Sequence, residues 1–164
     1  MTSDYIDRTL DEAGIERTDA GTVEIIGRLF RLMTFVEKRL AHAYGGVALN
    51  HGEVDVLHAL VRTGGEKQSP TRVAASLLCS SGTMTNRLDR LEKAGYLRRE
   101  HGTEDRRAIL LSITPEGRAA IARADAAREA AADEFFPGIT IAERKTFVRL
   151  MRKTLVEWER GATP

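Results

Sequence analysis

The stretch SPTRVAASLLCSSGTMTNRLDRLEKAGYLRREHGTEDRRAILLSI, residues 69–113, determines the fold that we predict for this chain. Ser69 followed by Pro70 is typical of a helix start, with an N-cap and a proline in the first turn. After a short turn, the serine pair at 80–81 can cap a second helix, and Gly95 can end it. Two short runs of alternating polar and apolar residues then predict a β-hairpin. This order of elements is a helix-turn-helix followed by a wing.

Apolar residues spaced three to four apart predict further helices on both sides of this stretch. One helix is predicted over 23–44, and another begins at the N-cap Asn50 and ends near Gly64. Pro115 opens an alanine-rich helix through about Phe135, and a last helix follows it. The predicted fold class is therefore mainly α with a small β-hairpin wing (α+β).

Composition excludes several broad classes of protein. At 30% charged and 42% hydrophobic residues, the 164-residue chain is expected to fold rather than to remain disordered. It has no run of about 18 apolar residues and no basic-then-apolar leader, so we expect neither a membrane span nor secretion. The single cysteine, Cys79, excludes an internal disulfide and fits the reducing cytoplasm.

The distribution of charge favours a polyanionic partner. Residues 1–20 hold two basic and six acidic side chains, whereas residues 62–107 hold ten basic and six acidic ones. The net charge of the whole chain is only +1, so the positive excess lies on the segment that contains the predicted helix-turn-helix and wing.

The second helix of the motif has the composition of a DNA recognition helix. Such a helix presents small polar residues from its N-terminal half to base edges in the major groove. Arg87 and Arg90 follow on the same helix and suit a guanine or a phosphate, and Arg72 is placed for contact with the DNA backbone. The small polar candidates are Ser80, Ser81, Thr83, Thr85 and Asn86.

The tip of the hairpin suggests a minor-groove contact. A wing beside a recognition helix reaches the neighbouring minor groove, where a narrow A·T tract attracts arginine. Arg106 or Arg107 would make this contact. Asp105 would repel phosphate if left free, so we expect it to hold one of the arginines in position.

The motifs SSGTMTNRLDRLEKAGYLRR and TEDRRAILLSITPEG resemble the MarR family of bacterial transcriptional regulators, from about residue 25 to the C-terminus. The resemblance implies a homodimeric winged helix repressor that binds a near-palindromic operator in double-stranded DNA. It also implies dimerisation helices at 21–48 and 115–160 around a winged helix lobe at 50–114. The acidic, weakly patterned residues 1–20 themselves predict an N-terminal arm or short helix. The apolar stripes of the helices at 23–44 and 139–159 agree with dimerisation, because a lone lobe would leave them exposed.

The segments IGRLFRL and EVDVLHALVR further resemble the urate-responsive PecS/HucR-like branch of that family. The resemblance implies a small-molecule effector, urate or another anionic or phenolic compound, bound by Asp55, Arg62 and Arg87, with Arg90 as an alternative to Arg87. The branch also uses a tryptophan on an N-terminal helix. In this chain the only tryptophan is Trp158, and the equivalent position holds Leu10 or Asp11.

Other functions remain open at this point. Oxidation of Cys79 could gate a regulator of the same fold, although a small buried thiol explains the residue better. His51, Glu53, Asp55 and His58 lie close together in sequence, but their spacing matches no strong metal motif. A winged helix can also serve as a protein-interaction module. No motif of an enzyme or a bound cofactor occurs in the sequence.

Overall fold

The computed structural model describes residues 3–15, 21–47, 49–64, 67–102 and 107–161. Within these ranges the chain is mainly helical, with one antiparallel pair of strands, as the sequence predicts. In chain order the elements are α1 (Tyr5–Glu12), α2 (Thr22–Tyr44), α3 (His51–Arg62), α4 (Pro70–Ser76), α5 (Ser81–Lys93), β1 (Leu97–His101), β2 (Ile109–Ile113), α6 (Pro115–Ala130), α7 (Ala132–Phe135) and α8 (Ile141–Gly161).

The predicted helix caps of the winged helix are confirmed. Asn50 caps α3 by accepting a hydrogen bond from the backbone N–H of Glu53, and Ser69 caps α4 in the same way ahead of Pro70. Of the serine pair at 80–81, Ser80 is the residue that caps α5. Each cap satisfies a backbone N–H that the helix itself leaves unpaired, which fixes where the helix begins.

A compact core joins α3, α4, α5 and the hairpin. It contains the apolar faces that the helical periodicity predicts, and burial of each such leucine contributes roughly 1.5–3 kcal/mol. Val61, also predicted on this face, is only half-buried. The fully or nearly buried side chains are Val54, Leu57, Leu60, Val73, Met84, Leu88, Leu91, Leu97 and Leu111.

The hairpin is tied to the lobe by a third backbone segment. Leu97 pairs with Ile113 at one end of the ladder and His101 with Ile109 at the other. Gln68, just before α4, forms a β-bridge with Leu111, and the two residues exchange hydrogen bonds of 3.1 and 2.7 Å. Because the bridge lies on β2, the strand is held on both sides and the wing has a rigid base.

Three residues of the TPEG segment after the hairpin have a specific structural role. Thr114 caps α6, and its hydroxyl also donates to the carbonyl of Gly95 at 2.7 Å. Pro115 occupies the first turn of α6, where its missing N–H costs nothing. Gly117 approaches the carbonyl of Tyr96 so closely that a Cβ would lie 2.1 Å from that oxygen. The segment therefore locks α6 to the turn that begins the hairpin.

The predicted long helix from Pro115 to Phe135 is wrong at its C-terminal end. The structure ends α6 at Ala130, and a separate short helix, α7, follows after Ala131. The alanine-rich sequence around this break contains no glycine or proline, so no local signal marks it. The break coincides with the division of the chain into two compact units, residues 1–131 and 132–164.

The N-terminal helix α1 docks on α2 within the first unit. Arg28 of α2 pairs with Asp4 at 2.9 Å and with Asp7 at 2.6 Å. Asp4 also caps α1 by accepting from the N–H of Asp7, and this hydrogen bond, together with Arg28, holds the pKa of Asp4 below its ordinary value. Ile6 packs over Gly27, so α1 is anchored by both charge and apolar contact.

Two helices carry large apolar side chains that the chain itself leaves exposed. On α2 these include Ile26, Phe30 and Met33, and on α8 they include Leu155 and Trp158. Contiguous apolar faces of this kind mark interaction surfaces. None of the helices in the described ranges is both long and apolar enough to cross a lipid bilayer.

Candidate nucleic-acid interface

The N-terminal half of α5 presents the small polar surface that a recognition helix needs. All five small polar residues of the predicted site are exposed. The Ser80 and Thr83 hydroxyls lie 2.9 Å apart, and the Thr85 hydroxyl donates to the carbonyl of Ser81 at 2.9 Å. The side chains of Ser81 and Asn86 are exposed and form no hydrogen bond among the described residues.

The two arginines of α5 both contact the first turn of α3. The guanidinium of Arg87 lies against Gly52, where a Cβ would come within 2.3 Å of Cζ. Arg90 Nε lies 2.8 Å from Oε1 of the buried Glu53. The sequence predicted both arginines as candidate DNA contacts but gave no sign that α3 positions them, because these pairs form only when the helices pack.

Arg72 lies on the exposed surface of α4, close to the helix N-terminus. Its backbone N–H donates a hydrogen bond of 3.3 Å to the hydroxyl of the N-cap Ser69. Its side chain forms no ion pair among the described residues. An exposed cation at this position is suited to contact with a phosphate.

The wing carries further basic side chains. Arg107 is exposed directly before β2, as the prediction requires, whereas Asp105 and Arg106 lie outside the described residues. Arg98 is also exposed on β1, opposite Ser112. Strand alternation could have indicated Arg98, since it neighbours the buried Leu97, but the sequence reasoning considered only the hairpin tip.

Arg99 anchors the wing to the recognition helix. Its guanidinium pairs with Asp89 at 2.6 Å and with Glu92 at 3.2 Å, both on α5. Its backbone N–H also donates to Glu92 at 3.3 Å. On the other side of the wing, Lys67 pairs with Glu100, which lowers the pKa of that carboxyl. These contacts fix the angle between wing and helix and hence the spacing of any groove contacts.

The residues predicted to bind an effector are not joined to one another by ion pairs. Asp55 is half-buried on α3 and pairs with His51 at 3.4 Å. Arg62 is exposed at the other end of the same helix, two turns and about 10.5 Å away along the axis. Within the described part of the chain neither Arg62 nor Arg87 forms an ion pair. Two cationic groups are therefore available to an anion near α3.

A polar cluster lies beside Asp55 where α2, α3 and α6 meet. Tyr44 is fully buried, and its hydroxyl has no hydrogen-bond partner in the described residues. Burial raises the pKa of Tyr44, the nearby carboxylates Asp125 and Asp55 raise it further, and Arg128 opposes them. Asp125 in turn accepts a hydrogen bond from His58 at 3.0 Å and forms an ion pair with Arg128 at 2.9 Å. The Tyr44 hydroxyl therefore lies against the Asp125–Arg128 pair.

The residues considered for redox or metal gating have ordinary surroundings. Cys79 is half-buried rather than buried, in the turn between α4 and α5. His51, Glu53 and His58 each face a different partner. Across the described ranges, no group of three or more potential ligands comes together to hold a metal ion.

Comparison with known proteins gives a consistent set of similarities. A sequence model of the MarR family matches residues 49–109, the winged helix itself. The chain is 36% identical over 106 residues to the helix-turn-helix transcriptional regulator PecS of Dickeya dadantii, covering 64% of each protein. It is 30% identical over 120 residues to the transcriptional repressor YetL of Bacillus subtilis, covering 73% of this chain and 65% of YetL. The alignments thus span slightly less than two thirds of both relatives.

The fold has close counterparts among solved structures. One is BpsR of Bordetella bronchiseptica, whose DNA binding is regulated by 6-hydroxynicotinic acid. It matches with a TM-score of 0.71 and 26% sequence identity, over 84% of this chain and 97% of that chain. The similarity therefore extends beyond the winged helix to the flanking helices.

Proposed function

The chain belongs to the MarR family, and on that premise we propose that it is a cytoplasmic transcriptional repressor that binds a near-palindromic operator as a homodimer. A small anionic or phenolic effector would release it from DNA. The observation that carries the proposal is the exposed polar N-terminal half of α5, flanked in sequence by the exposed Arg72 of α4 and the exposed arginines of the wing. This arrangement provides base contacts in the centre and phosphate or minor-groove contacts at both sides.

Dimerisation accounts for the exposed apolar faces of α2 and α8. A two-fold dimer would bury these faces and present two copies of α5 to successive major grooves. The half-sites would then lie roughly one helical turn, about 34 Å, apart on one side of the duplex. The helix-turn-helix regulators to which the chain is similar support this use of the fold.

The effector site that we propose is formed around α3 by Asp55, Arg62 and Arg87. Support comes from the two guanidinium groups that form no ion pair among the described residues and from the similarity to PecS. BpsR, with its hydroxylated aromatic acid, is a precedent for an anionic aromatic compound in a similar fold. Leu10 is buried and Asp11 is exposed, and neither is aromatic. The aromatic contact of the urate-responsive branch is therefore absent at this position, and urate is only one candidate within this class.

The test is a binding titration on DNA from just upstream of the gene that encodes the chain, against a scrambled duplex, at physiological salt. We expect tight binding to the upstream duplex, and its loss on adding urate or 6-hydroxynicotinic acid would identify the effector class. Binding that neither compound affects would support a DNA-binding regulator and reject these two compounds as effectors. No preference for any duplex, including those from a random-site selection, would favour a protein-interaction module instead. Sedimentation at the same concentrations checks the dimer.

A further inference from the structure

Glu53 is a buried carboxylate in the first turn of α3. Its side chain is 2% exposed, whereas that of its partner Arg90 is 66% exposed. One carboxylate oxygen, Oε2, accepts from the backbone N–H of Asn50 at 2.9 Å and completes the capping box of α3. The other oxygen, Oε1, lies 2.8 Å from Nε of Arg90, yet it has no partner in hydrogen-bonding geometry among the described residues.

The helix cap alone does not explain a charged residue at this position. A glutamine would complete the same capping box without a buried charge. Burial of a carboxylate is costly unless a cation compensates it, and here the compensating cation is held mainly through Nε. The exposed remainder of the Arg90 guanidinium stays accessible on the surface of α5, about one helical turn after Asn86.

We propose that Glu53 is a positioning residue for DNA recognition, which holds the Arg90 guanidinium in the orientation needed for one operator contact. The inference rests on the proposed function. An arginine fixed in advance loses less side-chain freedom when it binds than a free one does. Glu53 should therefore raise affinity for the operator without raising affinity for random DNA. Its negative charge should even weaken the general attraction to phosphates.

The experiment compares the parent chain with Glu53→Gln, Arg90→Gln and the double variant. Each is titrated with a selected operator duplex and a random duplex over a range of salt, and its thermal unfolding is recorded. We expect Glu53→Gln to lose about five- to tenfold in operator affinity, in line with one oriented contact. Its affinity for random DNA should be equal or higher. In the Arg90→Gln background the same substitution should change operator affinity no further.

Arg90→Lys provides a second variant at an exposed position, so that the test does not depend on the folding of Glu53→Gln. This substitution keeps the positive charge but removes the guanidinium Nε. The variant should lose its preference for the operator over the random duplex, while the salt dependence of its DNA affinity stays that of the parent. The inference would be overturned if Glu53→Gln lowered operator affinity as much in the Arg90→Gln background as in the parent. It would also be overturned if Glu53→Gln left the ratio of operator affinity to random-duplex affinity unchanged. If the parent itself prefers no duplex, both the inference and the proposed function fail. A parent that prefers its operator while the variants match it overturns the inference alone.

Discussion

Replacing Gly52 by alanine should stabilise the protein and at the same time weaken DNA binding, so that the two effects can be measured separately. Gly52 lies in the first turn of α3, and the guanidinium of Arg87 rests on its Cα. The added Cβ would be 2.3 Å from Cζ, 2.4 Å from Nη2 and 2.5 Å from Nε of Arg87. Carbon atoms in contact are separated by about 3.5–4.0 Å, so the guanidinium must move by about 1 Å or more.

The two expected effects have opposite signs. Alanine loses less backbone freedom than glycine on folding, so the free energy of unfolding should rise by about 0.4–1 kcal/mol. The displaced group is the end of a flexible side chain, which limits the strain. Operator affinity should fall, because a guanidinium moved by that distance loses an oriented contact worth about 1–3 kcal/mol of discrimination.

The assay is fluorescence anisotropy with a labelled operator duplex, together with urea unfolding of the free protein. Gly82 occupies the same position in the first turn of α5, and a Cβ there meets nothing within 4 Å. Gly82→Ala is thus the matched control for stability. In an Arg87→Ala background, Gly52→Ala should cost no further affinity. The reasoning would be refuted if Gly52→Ala kept the operator affinity of the parent while Arg87→Ala lost it.

Four further predictions address other parts of the chain. Leu78 has φ +49° and is 88% exposed, so Leu78→Gly should relieve backbone strain and raise unfolding free energy by up to about 1 kcal/mol; equal or lower stability in urea would contradict this. Arg107→Ala should weaken operator binding and abolish a preference for A·T pairs beside each half-site, and selection from random duplexes would show whether that preference persists. Asp55→Asn should change the concentration of effector needed for release more than it changes DNA affinity without effector. A larger change in DNA affinity than in effector response would indicate a structural role for Asp55. The pKa of Asp4 is lowered by the hydrogen bond from the Asp7 backbone and by the ion pair with Arg28. The contribution of Asp4 to α1 docking is therefore present above the ordinary pKa of 3.8 and is lost as pH falls through the lower pKa of the folded state. Hydrogen exchange of the α1 amides should become faster over this pH range, and the change should be smaller in Arg28→Gln.

The sequence was sufficient for features that depend on neighbouring residues. Asn50, Ser69 and Ser80 cap their helices through side chains that bond backbone only three residues away. Gly95 ends α5 in a left-handed conformation that favours glycine, with φ +76°. Such signals act within one turn, so they are readable before any tertiary contact is known.

Features that depend on packing could not be read in the same way. The contacts of Arg87 with Gly52 and of Arg90 with Glu53 join residues more than thirty positions apart. The charge pattern identified both arginines as candidate DNA contacts, but it could not distinguish a free side chain from one held by another helix. The break at Ala131 was missed for a related reason, since alanine is the strongest helix former and the local sequence therefore favours a continuous helix.

The first turn of α3 connects the proposed effector site with the two arginines that we propose as DNA contacts. It carries Gly52 under Arg87, Glu53 against Arg90, and His51 paired with Asp55. An effector that binds Asp55 or attracts Arg87 would shift this turn relative to α5. A shift of about 1 Å disturbs oriented contacts, and a coupling of about 1–3 kcal/mol changes DNA affinity roughly 5- to 150-fold. Such coupling needs no large domain motion, because the proposed effector residue Asp55 and the two proposed DNA contacts, Arg87 and Arg90, all have partners in this turn. It follows that Gly52→Ala should weaken the effect of the effector as well as DNA binding, since the variant already holds Arg87 away from its position in the parent.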